Sequence, residues 1–247
     1  MSTHVERMKF RLMTIEFLRA AKRRYTYREL SSKTGLSVTV LSRYAKGHVL
    51  PSEERARQLW NKLKKLVGLE TELYERIQLN SDGYFDNTSV IGDPHILELA
   101  AHHVLAVFAG KRVTKVLTAA ADGVPLATAI AQKLGVGLAI AKRYKEVGVD
   151  KFLDETFSPA NSGMSVTLYL PRNAIRKKDC VLIVDDMIRS GETQRALVNL
   201  VKKAKAEITG AFFLVAVGDE WKKKIDLPDG CPVEVVMKIR LDKNRQD

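Results

Sequence analysis

Cysteine is scarce in this chain, with Cys180 and Cys231 the two in 247 residues. Two thiols build no disulfide framework, and Cys180 opens an apolar stretch, so a reduced structural thiol and a cytoplasmic setting are expected. Long apolar runs are missing as well. Nothing approaches the ~20 residues that a membrane span needs, and the N-terminus carries no signal-peptide apolar region. Internal repeats and low-complexity tracts are absent too. What is present is an ordinary globular balance, 45% hydrophobic and 28% charged residues, long enough for one large domain or two modest ones.

The formal charge of +12 is unevenly placed. Residues 1–67 hold 16 Lys and Arg against five acids, whereas the other 180 residues hold 25 against 24. A near-neutral body with a strongly basic head points to a polyanion partner for the head, although a solvated basic surface would give the same totals.

Within the head, Met8, Leu12, Ile15, Phe17, Leu18 and Ala21 recur near helical spacing across Val5–Lys22. Thr26-Tyr27-Arg28-Glu29 fits a capping box, with Thr26 as N-cap and Glu29 three residues on. Gly35 suits the left-handed position that closes a helix. Ser37 caps a third helix over Val38–Lys46, Gly47 ends it, and Pro51-Ser52-Glu53 opens a fourth through Ala56, Leu59, Trp60, Leu63 and Leu66. Leu30, Leu36, Leu41 and Tyr44 are expected to close the small bundle. A helix, a Gly-containing turn and a short helix form a helix-turn-helix, and Tyr27–Pro51 resembles its Cro/cI type.

That resemblance places the third helix in a DNA major groove. Val38, Thr39, Ser42 and Arg43 would face outward, Arg43 to a guanine edge and Val38 or Thr39 to a thymine methyl. Ser37, Lys46 and His48 sit where phosphates would pass, and Arg23 and Arg24 add charge toward the backbone. Some domains of this type bind protein instead, and the charge favours DNA.

Residues 68–94 read as a connector. It contains a polar helical stripe, Leu69, Leu73 and Ile77, and turn chemistry at Ser81-Asp82-Gly83. The domain boundary is expected near residue 80.

The body, residues 95–247, alternates strand and helix patterns, which implies a parallel sheet with helices on both faces. Strands are expected over 113–118, 138–141, 165–170, 181–184, 208–217 and 233–239. His102 and His103, adjacent on a helix, cannot share a face, so a metal pair is not expected there and both are read as surface or interface residues.

The body centres on residues 180–193. Val181–Val184 has the continuous apolar character of a strand buried on both faces. Asp185 and Asp186 follow, then Arg189-Ser190-Gly191-Glu192-Thr193 and an amphipathic helix starting near Gln194. Turn N–H groups with the Ser190 and Thr193 hydroxyls can cage a phosphate at a helix start, and the two acids can accept hydrogen bonds from a ribose diol. A buried strand followed by a capped helix would explain the apolar run but not the pair of acids.

Val181–Thr193 closely resembles the phosphoribosyl-pyrophosphate (PRPP) motif of type I phosphoribosyltransferases. The resemblance implies a 5′-phosphate site at Arg189, Ser190, Gly191, Glu192 and Thr193, and a ribose site at Asp185 and Asp186. It also implies a pyrophosphate loop at Ala120, Ala121, Asp122 and Gly123, a loop that often contains a cis peptide, and a mobile active-site segment over 146–164. No cofactor is obligatory; Mg²⁺ would arrive with PRPP, and no direct protein metal ligand is expected. Trp221 is the candidate to stack on the base, or else a rim residue packing the sheet edge.

Asp122 departs from the pattern, because active relatives of the orotate type carry Lys or Arg there. The mobile segment is acidic on balance, with Lys145 and Lys151 against Glu146, Asp150, Asp154 and Glu155. Ribose-phosphate recognition therefore reads as preserved and turnover as doubtful. The whole layout is similar to phosphoribosyltransferase-like transcriptional regulators with an N-terminal helix-turn-helix, of the archaeal GfcR type and, in layout, the bacterial PurR type. That family implies a dimer on a palindromic operator, sensing PRPP or a nucleoside monophosphate. The alternatives are an active phosphoribosyltransferase and a vestigial pocket that serves only dimerisation.

Overall fold

The structure, a computed structural model, describes residues 4–78, 80, 84–159 and 163–240. The turn expected at Ser81-Asp82-Gly83 lies outside the described residues. The chain forms two compact units, Met1–Glu75 and Arg76–Asp247.

The first unit is all helical: α1 (His4–Arg24), α2 (Tyr27–Thr34), α3 (Val38–Ala45), α4 (Glu53–Val67) and the start of α5 (Leu69–Arg76). Local chemistry sets these boundaries. Glu29 N–H donates to Thr26 Oγ1 at 3.3 Å, and the Glu29 carboxylate accepts from Thr26 N–H at 2.7 Å, completing a capping box. Gly35 closes α2 at φ 71°, and Ser37 and Ser52 accept from Val40 and Arg55 N–H to open α3 and α4. Leu18, Leu30, Leu41, Leu59, Leu63 and Leu73 are fully buried between the helices, each contributing about 1.5–3 kcal/mol by burial.

Three readings of the head change. Ala45, one turn after Leu41, takes the core position, and Tyr44 is half-buried. Leu12 is exposed. Arg24 is no free cation, because its guanidinium pairs with Glu72 at 2.6 Å and with Glu75. Those pairs tie α5 to α1, so most of that helix belongs to the first unit, not to a connector.

The second unit contains α6 (Thr88–Ile91), α7 (Pro94–Val107), β1 (Lys115–Ala119), α8 (Gly123–Leu134), β2 (Gly137–Ala141), β3 (Phe152–Phe157), β4 (Val166–Pro171), β5 (Cys180–Ile188), α9 (Glu192–Lys203), β6 (Glu207–Val217) and β7 (Val233–Ile239). Five strands form a parallel sheet in the order β2-β1-β5-β6-β7. The chain runs outward from β1 to one edge and from β5 to the other, so the order reverses between β1 and β5. In such sheets ligands bind at that reversal, beyond the carboxyl ends of the strands. The core under α9 contains Leu117, Ile183, Leu197, Val201 and Phe213.

Two expectations about the body are corrected. The expected strands omit Phe152–Phe157, which pairs antiparallel with β4 within the segment read as mobile. Asn199 of α9 donates to Glu155 at 2.7 Å and Lys203 pairs with it at 2.6 Å, holding this hairpin against the core. His102 is buried rather than on the surface, and burial pushes its pKa down to about 4, keeping it neutral. His103 Nε2 lies 2.7 Å from Glu234 on β7.

Candidate functional site

β5 carries the acids further than its apolar run suggests. Its pairing with β1 ends at Leu117↔Ile183, while pairing with β6 continues to Ile188↔Ala216. Asp185 and Asp186 therefore lie inside the strand, beyond its last pairing with β1, not after it. This overhang opens one side of the acids to the reversal point. The two carboxyls hydrogen-bond to each other and each has a further donor of its own. Gln194 of α9 donates to Asp185 Oδ2 at 2.8 Å. Asn87, just before α6, donates to Asp186 Oδ2.

Both acids are buried, Asp185 at 6% exposure and Asp186 at 7%. Burial, and then the neighbouring charge of Asp186, push the Asp185 carboxyl well above the usual range. Burial also raises Asp186, and the Asp122 carboxylate adds to this against several hydrogen bonds that lower it. A pair held at such cost away from water fits a partner that supplies hydroxyl donors.

The loop after β1 closes onto the same point. The Ala120–Ala121 peptide bond is cis. Ala121 and Asp122 are exposed, and Gly123 is buried at the first turn of α8. A Cβ on Gly123 would lie 2.3 Å from Thr118 Oγ1 and 2.4 Å from Asp185 Oδ1, so only glycine allows this approach. The loop and the acids thus form one constellation.

The turn after β5 supplies the third part. Gly191 adopts φ 86° and precedes α9, whose first turn receives no side-chain cap. The opening N–H groups of this 12-residue helix are available to an anion, with Ser190 and Thr193 half-buried beside them. The Glu192 carboxylate pairs with Lys224 and also accepts from the Ser190 hydroxyl and its own backbone N–H. Against the pull of burial, the Lys224 ammonium and these bonds hold this carboxyl below its usual range.

Trp221 does not present a face to a base. It is 5% exposed in a 3-10 turn, Glu220–Lys223, and its indole N–H donates to Gly218 O at 3.1 Å. Its Cα lies 3.1 Å from where a Gly191 Cβ would be, so it packs beneath the Gly191 turn. Asn87, Gln194 and Thr118 were not singled out from the sequence. Asn87 lies 99 residues from its partner, and no local pattern announces that pairing.

In the first unit, Ser37, Val38, Thr39, Arg43 and Lys46 are exposed and Ser42 is half-buried on α3. Arg43 makes no salt bridge among the described residues. Arg19 Nε donates to Ala45 O at 2.6 Å, fixing the end of α3 against α1.

A parallel sheet with paired acids at its reversal point and an uncapped helix start beside them defines a domain of the α/β class. Residues 92–240 match the phosphoribosyl transferase domain family, and the chain belongs to it. Residues 15–65 match a helix-turn-helix family. The chain is 27% identical over 160 residues to the probable purine biosynthesis transcriptional regulator PurR of Streptococcus pneumoniae. That match covers 64% of this chain and 58% of the regulator, so the chain spans just over half of that relative's length. It is also 32% identical over 151 residues to a hypoxanthine/guanine phosphoribosyltransferase of Methanotorris igneus, covering 60% of this chain and 78% of that one. The adenine phosphoribosyltransferase structure from Rhodothermus marinus superposes with TM-score 0.61 at 28% identity, covering 69% of this chain and 98% of that one. No helix among the described residues is long and apolar enough to cross a membrane.

Proposed function

We propose that the protein is a DNA-binding transcriptional regulator whose phosphoribosyltransferase-like unit senses PRPP or a nucleoside monophosphate. One observation carries this reading: an exposed α3 bearing Arg43 and a buried acid pair beside an uncapped helix start occur in one chain. The likeness to a PurR regulator supports the same division of labour. A phosphate is taken by the N–H groups and hydroxyls of residues 189–193, with Glu192 contributing through its backbone, and the ribose diol donates to Asp185 and Asp186. The exposed Asp122 carboxylate near Asp186 opposes bare pyrophosphate. A Mg²⁺ that arrives with a diphosphate, held through that ligand, would offset the Asp122 charge.

A dimer of the body would present two α3 helices to a palindromic operator, with half-sites about 34 Å or a multiple apart. The relatives that are enzymes raise the second reading, transfer of ribose 5-phosphate to a base. Thermal shift with PRPP, AMP, GMP and UMP, run beside a pyrophosphate-release assay with common bases, separates the two. The regulator reading expects nucleotide or PRPP stabilisation that is lost in Thr193→Ala, without turnover. Pyrophosphate release at the ~1–10³ s⁻¹ of typical enzymes would overturn it.

A further inference from the structure

Asp186 already has a hydrogen-bond donor in this structure, and that donor comes from the connector. Asn87 Nδ2 donates to Asp186 Oδ2. Three residues earlier, the Tyr84 ring lies under Arg189, with the guanidinium carbon 4.6 Å from the ring centroid. One short segment therefore touches both halves of the ribose-phosphate constellation, an acid of the ribose site and the arginine that opens the phosphate turn. Core packing does not explain the second contact, because Tyr84 is 59% exposed. The segment is pinned just beyond, where Asp86 accepts from Thr88 N–H at 2.8 Å, and Arg76 pairs with Asp93 at 2.7 Å.

A buried carboxylate needs a donor at all times. While the Asn87 amide holds Asp186 Oδ2, an incoming hydroxyl must compete for that oxygen of a 7% exposed residue. We propose that Tyr84–Asn87 is an intramolecular strap over the ribose-phosphate site, and that ligand binding exchanges with it. The diol takes Asp186 from Asn87, and the phosphate draws Arg189 from Tyr84. This rests on reading residues 185–193 as a ribose-phosphate receptor.

The exchange is nearly balanced, one donor for another on the same carboxylate, which is what a two-state element requires. The strap lies in the second unit, in the stretch that follows its junction with the helical unit at Glu75 and Arg76.

The test uses the full chain, with ribose 5-phosphate and inorganic phosphate as probes. Hydrogen exchange should show ribose 5-phosphate slowing amides of 189–194 and speeding those of 84–91. Inorganic phosphate alone should slow only 189–194. Asn87→Ala should bind ribose 5-phosphate about tenfold tighter, the change expected when one charge-assisted hydrogen bond no longer competes. Tyr84→Leu, at an exposed position, should bind about two- to threefold tighter and serves if Asn87→Ala fails to fold.

Slower exchange of 84–91 with ligand, or weaker binding by either folded variant, would overturn the strap. Those residues would then hold the ligand, and the receptor reading would stand. Release of 84–91 by inorganic phosphate as full as that by ribose 5-phosphate would overturn the diol-for-amide exchange. Failure of ribose 5-phosphate to bind or to slow 189–194 would overturn both the strap and the receptor reading.

Discussion

Replacing Asp185 with Asn should make the protein more stable at neutral pH while removing ligand binding. The native chain buries this carboxyl beside a second one and gives it Gln194 Nε2 at 2.8 Å and the Asp186 N–H at a long 3.3 Å. Its pKa is raised in the native state, by burial first and by Asp186 next. A raised carboxyl holds its proton more tightly folded than unfolded. Its contribution is therefore favourable below the unfolded value of about 3.9 and is lost as pH climbs through the native value.

At pH 7 the native state carries a penalty that an amide does not. The Asn oxygen can still accept from Gln194, while the bond from Asp186 N–H is weak at 3.3 Å. Relief of a functional-site penalty typically yields about 0.5–2 kcal/mol. In a unit of this size each kcal/mol moves the midpoint by about 2–4 °C, so the variant should melt about 1–8 °C higher at pH 7. The difference should shrink toward zero near pH 4. Differential scanning fluorimetry across pH 4–8 measures it, and PRPP titration at pH 7 measures the lost binding. A variant that is less stable at pH 7, or an offset that does not change with pH, would refute the reasoning.

Other substitutions test the remaining parts. Gly123→Ala drives a methyl group to 2.3 Å from Thr118 Oγ1 and 2.4 Å from Asp185 Oδ1; urea denaturation should show a loss of about 1–3 kcal/mol, and nucleotide stabilisation should vanish. Gly191→Ala must hold φ 86° against the Trp221 backbone; it should cost at least about 1–2 kcal/mol by the same assay, with phosphate protection of 189–194 lost. Arg43→Ala, at an exposed α3 position, should weaken operator binding by about 1–3 kcal/mol and relax sequence preference; unchanged anisotropy titrations would remove it from the base-reading set.

The head was legible because its boundaries are written in local chemistry. Thr26 with Glu29, Gly35, Ser37 and Ser52 each act within a few residues of where they stand. The acids and the glycine turn of the body were legible for the same reason, as one continuous string. What escaped depends on partners far along the chain. β3 was missed because its acids look like loop residues until Asn199 and Lys203 reach them from α9. Trp221 reads as a base-stacking candidate or a rim residue packing the sheet edge, and its turn folds under Gly191. His102 is one of two adjacent histidines, and only the packing of α7 distinguishes the buried one from its neighbour. Arg24 adds to the charge total of the head, but it is committed to Glu72 and Glu75.

The central claim, that the ribose-phosphate site reports to the recognition helix, is tested most directly by one titration. An operator selected from a random duplex pool is bound at fixed salt with and without saturating PRPP, in the wild type and in Thr193→Ala. Coupling of about 1–3 kcal/mol, a five- to 150-fold change in operator affinity, is predicted for the wild type and none for the variant. Equal operator affinity with and without PRPP and each nucleoside monophosphate would contradict the account.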